Sequence, residues 1–514
     1  MKVARNLILG SGSRILSFGT NIIIGIFLMP FIIHSFGDRI YGYWALVAIF
    51  IDYYGLFDIG IVSAVQYIIA KSIGEKNKEK ADQAISLSLL VFSGIGIIIF
   101  LITIIFALFT NIIIDNPNEA ILFRKVLLIM GIGFAIGFPC RIFAGVISAN
   151  LKFALISFTD IASLLLRAGL TVILIKNGYG IVELASITVF TDLIKYGIYY
   201  FIVKKLRYNF RLSLKLYNTE IFKEVIVYGI SRFLIKIGDR LRFSIQPFVV
   251  SGLISIEAVT HYSVASKLSF YFMNLMIALI SVLEPFFSIL SGKKDNANMK
   301  QALIWGTKVS IPIATVICVC FMFYGKPLIE LWMGKAYLDA YVPLIILLIG
   351  IFSDVAQIPS ISYLNGTAKL RFLGFITLTE GTLILLSNLF LAQKYGLIGI
   401  ALGTAIPMVI MKFFVQPRYV CSNIGIPLSY YYFKIVVPAI MIPSAALLLA
   451  WHLIFDNIAI NHTYQLITLL LSHGAIGLVA AYIFIFDNQM KQKFVVALLD
   501  FIKVGKIISP NSKD

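Results

Sequence analysis

Charged and polar side chains share one face of an otherwise apolar stretch, residues 221–250. At about 100° per residue, six of them fall within an arc of roughly 160° on a helix. They are Arg232, Lys236, Asp239, Arg240, Arg242 and Gln246. The stretch is apolar enough to cross a bilayer, where a charge at the centre costs at least about 2.5–3.5 kcal/mol. The one-sided cationic stripe therefore predicts a water-filled cavity that receives an anion.

A second polar face lies on the first apolar stretch, residues 8–34. On a helix its polar and small residues span an arc of roughly 120°, which Phe18 also enters. They are Ser11, Arg14, Ser17, Asn21 and Gly25. Arg14 and Asn21 are therefore candidates for the lining of the same cavity. The alternative is that Arg14 lies close enough to the inner membrane surface to reach the lipid headgroups.

Carboxylates inside apolar stretches need a partner or a proton. Asp52 and Asp58 both lie in residues 43–70. Two roles remain open for Asp58: a structural counter-ion for a cavity cation, or a coupling site for a proton or a sodium ion. Asp239 is predicted to be the internal charge partner of its neighbours Lys236 and Arg240.

The stretch 257–289 carries Lys267, which is predicted to add to the basic cavity, and Glu284. Glu284 precedes Pro285, and because proline frees a backbone carbonyl, the pair predicts a kinked functional segment in which Glu284 is a charge partner or an ion-coupling residue. Further charged residues lie nearer to the ends of apolar stretches and are predicted to be interfacial or ion-paired. They are Arg124, Arg141, Asp160, Arg167, Glu183, Asp354 and Glu380.

Composition predicts an all-α polytopic membrane protein. Of the 514 residues, 60% are hydrophobic and only 13% are charged, which is too few to cover a soluble chain of this length. The formal net charge of +18 lies mostly in short loops, so it indicates cytoplasmic loops rather than nucleic-acid binding. The four cysteines show no metal-binding spacing, and no metal or cofactor is expected.

About fourteen stretches have the length and apolarity that a bilayer-spanning helix needs. Their approximate limits are 8–34, 43–70, 84–110, 121–147, 154–176, 181–203, 221–250, 257–289, 302–324, 341–366, 372–393, 396–416, 433–453 and 464–486. If the N-terminus is inside, about 23 basic residues face the cytoplasm and about 5 the other side. This asymmetry predicts that both termini are cytoplasmic.

The chain resembles itself at a spacing of roughly 216–220 residues. For example, Ser13-Arg14 corresponds to Ser231-Arg232, and Thr159-Asp160 to Thr379-Glu380. Six spans per repeat predict two bundles in the same orientation, related by a pseudo-twofold axis along the membrane normal. The predicted parts are a first bundle 1–204, a cytoplasmic linker 205–220, a second bundle 221–416, two extra helices within 433–486, and a cytoplasmic tail 487–514.

Several segments resemble the polysaccharide transporter family of the multidrug/oligosaccharidyl-lipid/polysaccharide flippase superfamily. They are RNLILGSGSRILSFGTNIIIGIFLMPFIIHSFGDRIYGYWAL, YYGLFDIGIVSAVQYIIA, the GDR at 238–240, and GKPLIELWMGKAYLDAY at 325–341. The resemblance covers essentially the whole chain. It implies a flippase of the bacterial cytoplasmic membrane for undecaprenyl-pyrophosphate-linked oligosaccharides, used in making O-antigen, capsule or exopolysaccharide. The pyrophosphate would be the anion in the cavity, and membrane lipids, a polysaccharide polymerase and chain-length machinery would be partners.

Other functions remain open at this point. One is a cation-coupled drug or metabolite antiporter of the same superfamily, but the two extra helices and the basic stripe disfavour it. Another is an integral-membrane glycosyltransferase or polymerase, but no paired acid motif stands out, so we expect no enzyme. A flippase for a lipid-II-type precursor is a close relative of the favoured function.

Overall fold

The computed structural model describes residues 2–58, 61–75, 77–114, 116–206, 208, 233–280, 283–455, 458, 460 and 462–492. Within these residues the chain is helical and contains no strand. Arg232, most of the predicted linker 205–220 and most of the predicted tail 487–514 lie outside the described residues. The all-helical membrane class predicted from composition is confirmed.

The α-helices are numbered in chain order. Their bounds are α1 Lys2–Tyr53, α2 Ile61–Gly74, α3 Lys78–Leu108, α4 Thr110–Ile113, α5 Pro117–Gly137, α6 Ile142–Ala149, α7 Phe153–Lys176, α8 Ile181–Lys205, α9 233–243, α10 Gln246–Leu253, α11 Ile256–Ile280, α12 Leu283–Gly292, α13 Asn296–Met333, α14 Tyr341–Ala356, α15 Ile358–Gly366, α16 Leu370–Val409, α17 Gln416–Ile424, α18 Leu428–Tyr430, α19 Val437–Ala450 and α20 Thr463–Phe484. Short 3₁₀ segments cover Tyr54–Asp58, Pro139–Arg141 and Lys335–Ala340, and π-helical segments cover Ile410–Val415, Tyr431–Val436 and Trp451–Phe455.

The two longest helices are each interrupted by a glycine. Gly37 in α1 has a φ of 78°, and Gly396 in α16 has a φ of 56°. Other residues rarely adopt this positive region because their Cβ meets the following backbone. Each glycine therefore separates two helical segments. Gly37 lies between the predicted spans 8–34 and 43–70, and Gly396 lies at the boundary between 372–393 and 396–416.

Side-chain caps define where several helices begin. Asn77 accepts from the N–H of Lys80 at the start of α3, and Asn116 precedes Pro117 at the start of α5. Asp295 opens α13, where the side-chain amide of Asn298 donates to it at 2.7 Å and the backbone N–H at 3.1 Å. These hydrogen bonds to Asn298 hold the pKa of the Asp295 carboxyl below its usual range.

Ten helical segments among the described residues are long and apolar enough to cross a membrane. The predicted count of fourteen is not confirmed. Two of the ten segments are longer than one predicted span. They are Gly12–Asp58 and Leu370–Ile424, and each contains the boundary between two spans predicted from the sequence. Helix α8, which covers the predicted span 181–203, is not among the ten.

The described chain packs into two compact units. The first comprises residues 1–263 and 377–397, and the second comprises residues 264–376 and 398–514. This grouping follows packing contacts, whereas the predicted bundles 1–204 and 221–416 rest on the internal repeat, so those bundles stay a prediction. The stretch 377–397 packs with the first unit, although the internal repeat assigns it to the predicted second bundle 221–416.

Each unit has its own apolar core. In the first unit the core includes Ile61, Ile85, Phe92 and Phe138, all fully buried or nearly so. In the second unit a core cluster surrounds Tyr324 and Leu447. Between helices in lipid the driving force is close packing rather than escape from water, so these contacts depend on how near the backbones can approach.

Candidate functional site: a charged cavity in the first unit

A cavity of about 560 Å³ lies inside the first unit. Its walls come from the turn after α1 and from α2, α6, α7, α8 and α9, together with Arg141. The polar lining residues are Asp58, Arg141, Asp160, Lys195, Tyr196, Tyr199, Lys236, Asp239 and Arg240. The stripe residues Lys236, Asp239 and Arg240 therefore line a cavity, and Arg240 is less than one-third exposed.

Lys236 and Asp58 form an ion pair in this cavity. The Lys236 Nζ donates to Asp58 Oδ2 at 2.6 Å, and the N–H of Val62 donates to Asp58 Oδ1 at 3.1 Å. The 3₁₀ turn Tyr54–Asp58 places the carboxylate at the cavity wall. The side chain of Asp58 is 14% exposed, so a nearby cation is needed to stabilise its charge.

Arg240 pairs with Asp52 near the end of α1. The Tyr53 hydroxyl donates to the backbone carbonyl of Arg240 at 3.4 Å. A Cβ on Gly55 would lie 3.6 Å from one guanidinium nitrogen of Arg240 and 3.9 Å from one of Arg141. The guanidinium groups of Arg240 and Arg141 thus both lie beside Gly55. Because glycine has no side chain, space remains next to them.

Arg141 presents its charge without a carboxylate partner among the described residues. Its Cζ lies 4.8 Å from the Phe134 ring centroid and 5.6 Å from that of Phe138. Aromatic faces attract a guanidinium but leave its N–H donors available. Arg141 follows Pro139 in the 3₁₀ turn between α5 and α6, which directs it toward the cavity.

Helices α7 and α8 contribute hydrogen-bonded side chains to the wall of this cavity. The Tyr199 hydroxyl donates to Asp160 Oδ1 at 2.8 Å. Lys195 lies 3.0 Å from Asp192, which also accepts from Arg167 at 2.6 Å. These contacts fix the orientation of Asp160 and Lys195.

A second cavity of about 460 Å³ adjoins the first. The two share Ala144, Ile156 and Asp160 as lining residues. Its polar lining consists of Arg14, Ser17, Asn21, Ser148, Ser157 and Asp160. The Arg14 guanidinium lies over the Phe153 ring at 4.2 Å and forms no ion pair among the described residues.

Taken together, the adjoining cavities hold more cations than carboxylates. Five cationic side chains line them, against three carboxylates. They are Arg14, Arg141, Lys195, Lys236 and Arg240 against Asp58, Asp160 and Asp239. Arginine donors suit phosphate oxygens, and hydroxyl or amide side chains suit sugar hydroxyls. The arrangement can therefore bind an anionic group with a polar, neutral portion beside it.

Arg242 lies away from these cavities, contrary to the expectation for the stripe. Its side chain is 4% exposed, and its Nε lies 2.8 Å from Oε1 of the fully buried Glu380. Helix α9 ends at residue 243, and a turn at 244–245 separates it from α10, so residues 221–250 do not form one continuous helix. Gln246, beyond this turn, is buried and donates to the Arg242 carbonyl.

Asp239 has a partner that the sequence did not suggest. It accepts from Arg242 at 3.2 Å, while Lys236 and Arg240 pair with Asp58 and Asp52. Arg240 is adjacent to Asp239 and points in a different direction, whereas Arg242 lies three residues further along and on the same side of the helix. Carboxylates at the end of α1 and in the turn that follows it thus pair with these two cations, and the predicted role of Asp239 stays a prediction.

Lys267 and Glu284 both belong to the second unit. The Lys267 ammonium lies 5.7 Å from the Tyr271 ring centroid. Glu284 in α12 accepts from the amide of Asn365 in α15 at 3.3 Å. Their predicted roles in cavity lining and ion coupling stay predictions.

The sequence did not indicate three of the lining residues, Lys195, Tyr196 and Tyr199. It did include Arg141 and Asp160, but it placed them near the ends of predicted spans rather than in a cavity. One signal was available: Asp192, Lys195 and Tyr199 recur at intervals of three and four, which puts them on one face of a helix. For Arg141 the preceding proline was the only local sign.

The chain is similar in sequence to known proteins. A family model described as polysaccharide biosynthesis protein matches residues 38–342. A Shigella flexneri protein assigned as an O-antigen transporter is 21% identical over 406 residues, which cover 78% of this chain and 95% of that protein.

The fold is similar to that of two solved transporters. The lipid II flippase MurJ in an inward closed conformation has a TM-score of 0.70 at 18% identity, covering 93% of this chain and 98% of MurJ. An inward-facing multidrug resistance MATE family transporter of the MOP superfamily has a TM-score of 0.64 at 15% identity, covering 79% of this chain and 94% of that one. These likenesses confirm the expected fold, and they concern the fold alone.

Proposed function

The chain belongs to the polysaccharide biosynthesis protein family, and from this premise we propose that it flips undecaprenyl-pyrophosphate-linked oligosaccharides across the bacterial cytoplasmic membrane. The translocated glycan would then serve surface polysaccharide assembly. The similarity to a protein assigned as an O-antigen transporter supports this substrate class. The matched proteins are transporters or flippases, and we propose no catalytic reaction for this chain.

The observation that carries the proposal is the cluster of Arg14, Arg141 and Arg240 at two adjoining cavities inside an apolar chain. A pyrophosphate offers several acceptor oxygens, and arginine can donate to them in pairs. Each charge-assisted hydrogen bond contributes about 1.5–3 kcal/mol. Two or three of them would offset much of the cost of bringing the headgroup away from bulk water.

In the proposed mechanism the headgroup enters the cavity while the prenyl chain stays in lipid. Lys236–Asp58 is a structural pair that supports the cavity wall. Alternating access would follow from rocking of the predicted bundles 1–204 and 221–416, with both termini in the cytoplasm. A polymerase at the outer face would then consume the product, and coupling to a proton or sodium gradient is compatible with this cycle.

Two other cargoes are less well supported. A cationic drug would need free carboxylates, but Asp58 and Asp160 are both hydrogen-bonded to neighbouring side chains. A lipid-II-type precursor shares the prenyl pyrophosphate, and the likeness to MurJ concerns only the fold. A transport assay in which the lipid-II-type precursor competes with the lipid-linked oligosaccharide distinguishes these two cargoes.

The test is deletion of the gene in the source bacterium, followed by measurement of lipid-linked oligosaccharide on each leaflet. The proposal predicts accumulation on the cytoplasmic leaflet and loss of surface glycan. Wild-type protein restores export, whereas the variant with Arg14→Gln, Arg141→Gln and Arg240→Gln does not. Normal surface glycan in the deletion strain would refute the proposal.

A further inference from the structure

A buried ion pair joins Lys412 and Asp354 in the second unit. The Lys412 Nζ lies 3.0 Å from Asp354 Oδ1, and the two side chains are 1% and 11% exposed. Lys412 is among the largest fully buried side chains of the described residues. No part of the proposed substrate path uses this pair.

Close helix packing brings the two residues to the same level. A Cβ on Gly350 would lie 2.8 Å from the Cα of Ala405 and 3.4 Å from the sulfur of Met408. Asp354 follows Gly350 by one turn of α14, and Lys412 follows Met408 by about one turn. Lys412 lies in the π-helical segment Ile410–Val415, and such local widening of a helix is frequent at functional sites.

Lys412 has a hydrogen-bond acceptor in Gln416, but among the described residues the amide N–H group of Gln416 itself lacks one. Lys412 donates to Gln416 Oε1 at 3.2 Å, while the Gln416 Nε2 has no hydrogen-bond partner in the described part of the chain. Nearby, Gln357 donates to the Tyr431 hydroxyl at 3.0 Å and accepts from Ser360 at 2.8 Å. A buried N–H group without an acceptor in the described chain lies beside the Lys412–Asp354 pair. It indicates that the side chains around this pair can also adopt a second set of hydrogen bonds.

Titratable groups near the pair are few. On α14 and the π-helical segment they are Asp354 and Lys412 themselves. The packed elements α13, α17 and Tyr431–Val436 add buried Cys318, Cys421 and Tyr431, together with Tyr432 and partly buried Lys308. Lys308 pairs with Asp487 at 3.6 Å, and Asp354 pairs with Lys412 at 3.0 Å.

We propose that Asp354 is a proton-binding site whose carboxylate pairs alternately with Lys412 and with a proton. In the paired state Lys412 is an ammonium and Asp354 a carboxylate. When α14 and the π-helical segment separate, the carboxylate takes one proton from water and becomes a carboxylic acid, while Gln416 retains Lys412. Re-pairing releases that proton to water. The link of this cycle to cargo movement rests on the proposed function.

Proton binding is tested without any cargo by infrared spectroscopy of the full-length protein in liposomes. Acidification should produce the carbonyl band of a buried protonated carboxyl, and this band should be lost in Asp354→Asn combined with Lys412→Met. The control Asp487→Asn, at a half-exposed carboxylate, should keep it. Retention of the whole band by the double variant would overturn the proposal.

Coupling is tested by transport of undecaprenyl-pyrophosphate-linked oligosaccharide in the same liposomes with and without a proton gradient. The wild-type rate should rise with the gradient, and the double variant should lose that acceleration while keeping the basal rate. The swapped variant, Asp354→Lys with Lys412→Asp, keeps a titratable pair as a folding control and should keep the response. Equal acceleration in wild type and double variant would mean a structural pair and overturn the proposal. Absence of any transport by wild type would instead refute the flippase function, and the infrared result would stand.

Discussion

The ammonium of Lys236 lies 2.6 Å from the Asp58 carboxylate, although 178 positions separate the two residues in the chain. The pair joins α9 to the turn that follows α1, at the wall of the charged cavity. It gives a cation to a carboxylate that is only 14% exposed. Of the two roles that the sequence left open for Asp58, this contact supports the structural one.

Breaking this pair should destabilise the protein moderately. Lys236 is 39% exposed, so solvent screens the attraction and the coupling should be about 1 kcal/mol rather than the larger value of a dry pair. Asp58→Asn and Lys236→Met should each lower the free energy of unfolding in detergent micelles. The double variant should lose less than the sum of the two, and strict additivity would contradict the pairing.

The Arg242–Glu380 pair should be more sensitive. Both side chains are buried, so Arg242→Met would leave a buried carboxylate without its cation, at a cost of about 3–5 kcal/mol. Arg242→Met combined with Glu380→Gln should recover most of that loss. Thermal unfolding of the purified variants measures both effects. An Arg242→Met variant as stable as wild type would contradict the buried contact.

Gly238 should resist even the smallest substitution. An added Cβ would lie 2.7 Å from the Thr377 carbonyl carbon and 2.8 Å from its oxygen, so backbone must move. Gly238→Ala should cost about 1–3 kcal/mol of folding free energy. The matched control is Gly197→Ala in α8, where nothing lies within 4 Å and alanine should be neutral or stabilising by about 0.5–1 kcal/mol. Equal effects at both sites would contradict the packing.

Sequence patterns predicted the helical class and the family, but they predicted only part of the site. The periodicity of residues 232–246 assumed one straight helix. Apolar spacing does not show the turn at 244–245, but Pro247 indicates it, because proline has no N–H to donate to the carbonyl of residue 243. Arg242 precedes this turn, but at about 100° per residue it lies at the edge of the arc, and it packs against Glu380 instead of the cavity. Which carboxylate meets which cation depends on packing between distant segments, as Lys236–Asp58 and Lys412–Asp354 illustrate.

The predicted topology places loop residues on opposite sides of the membrane. In a variant without Cys140, Cys318, Cys320 and Cys421, single cysteines at Lys78 and Lys293 should react with a membrane-impermeant thiol reagent only after permeabilisation. A cysteine at Lys335 should react in intact spheroplasts. The reverse pattern would overturn the cytoplasmic placement of the termini.

The most direct measurement is transfer of undecaprenyl-pyrophosphate-linked oligosaccharide across the bilayer of liposomes that contain the purified protein. We predict transfer by wild type and at least a tenfold loss, equivalent to about 1.4 kcal/mol, when Arg14, Arg141 and Arg240 are replaced by Gln. Replacement of the exposed Lys78, Lys335 and Lys394 by Gln removes the same charge and should leave transfer unchanged. Transfer by the arginine variant at the wild-type rate would contradict the role of the cavity, and no transfer by wild type would contradict the proposed function.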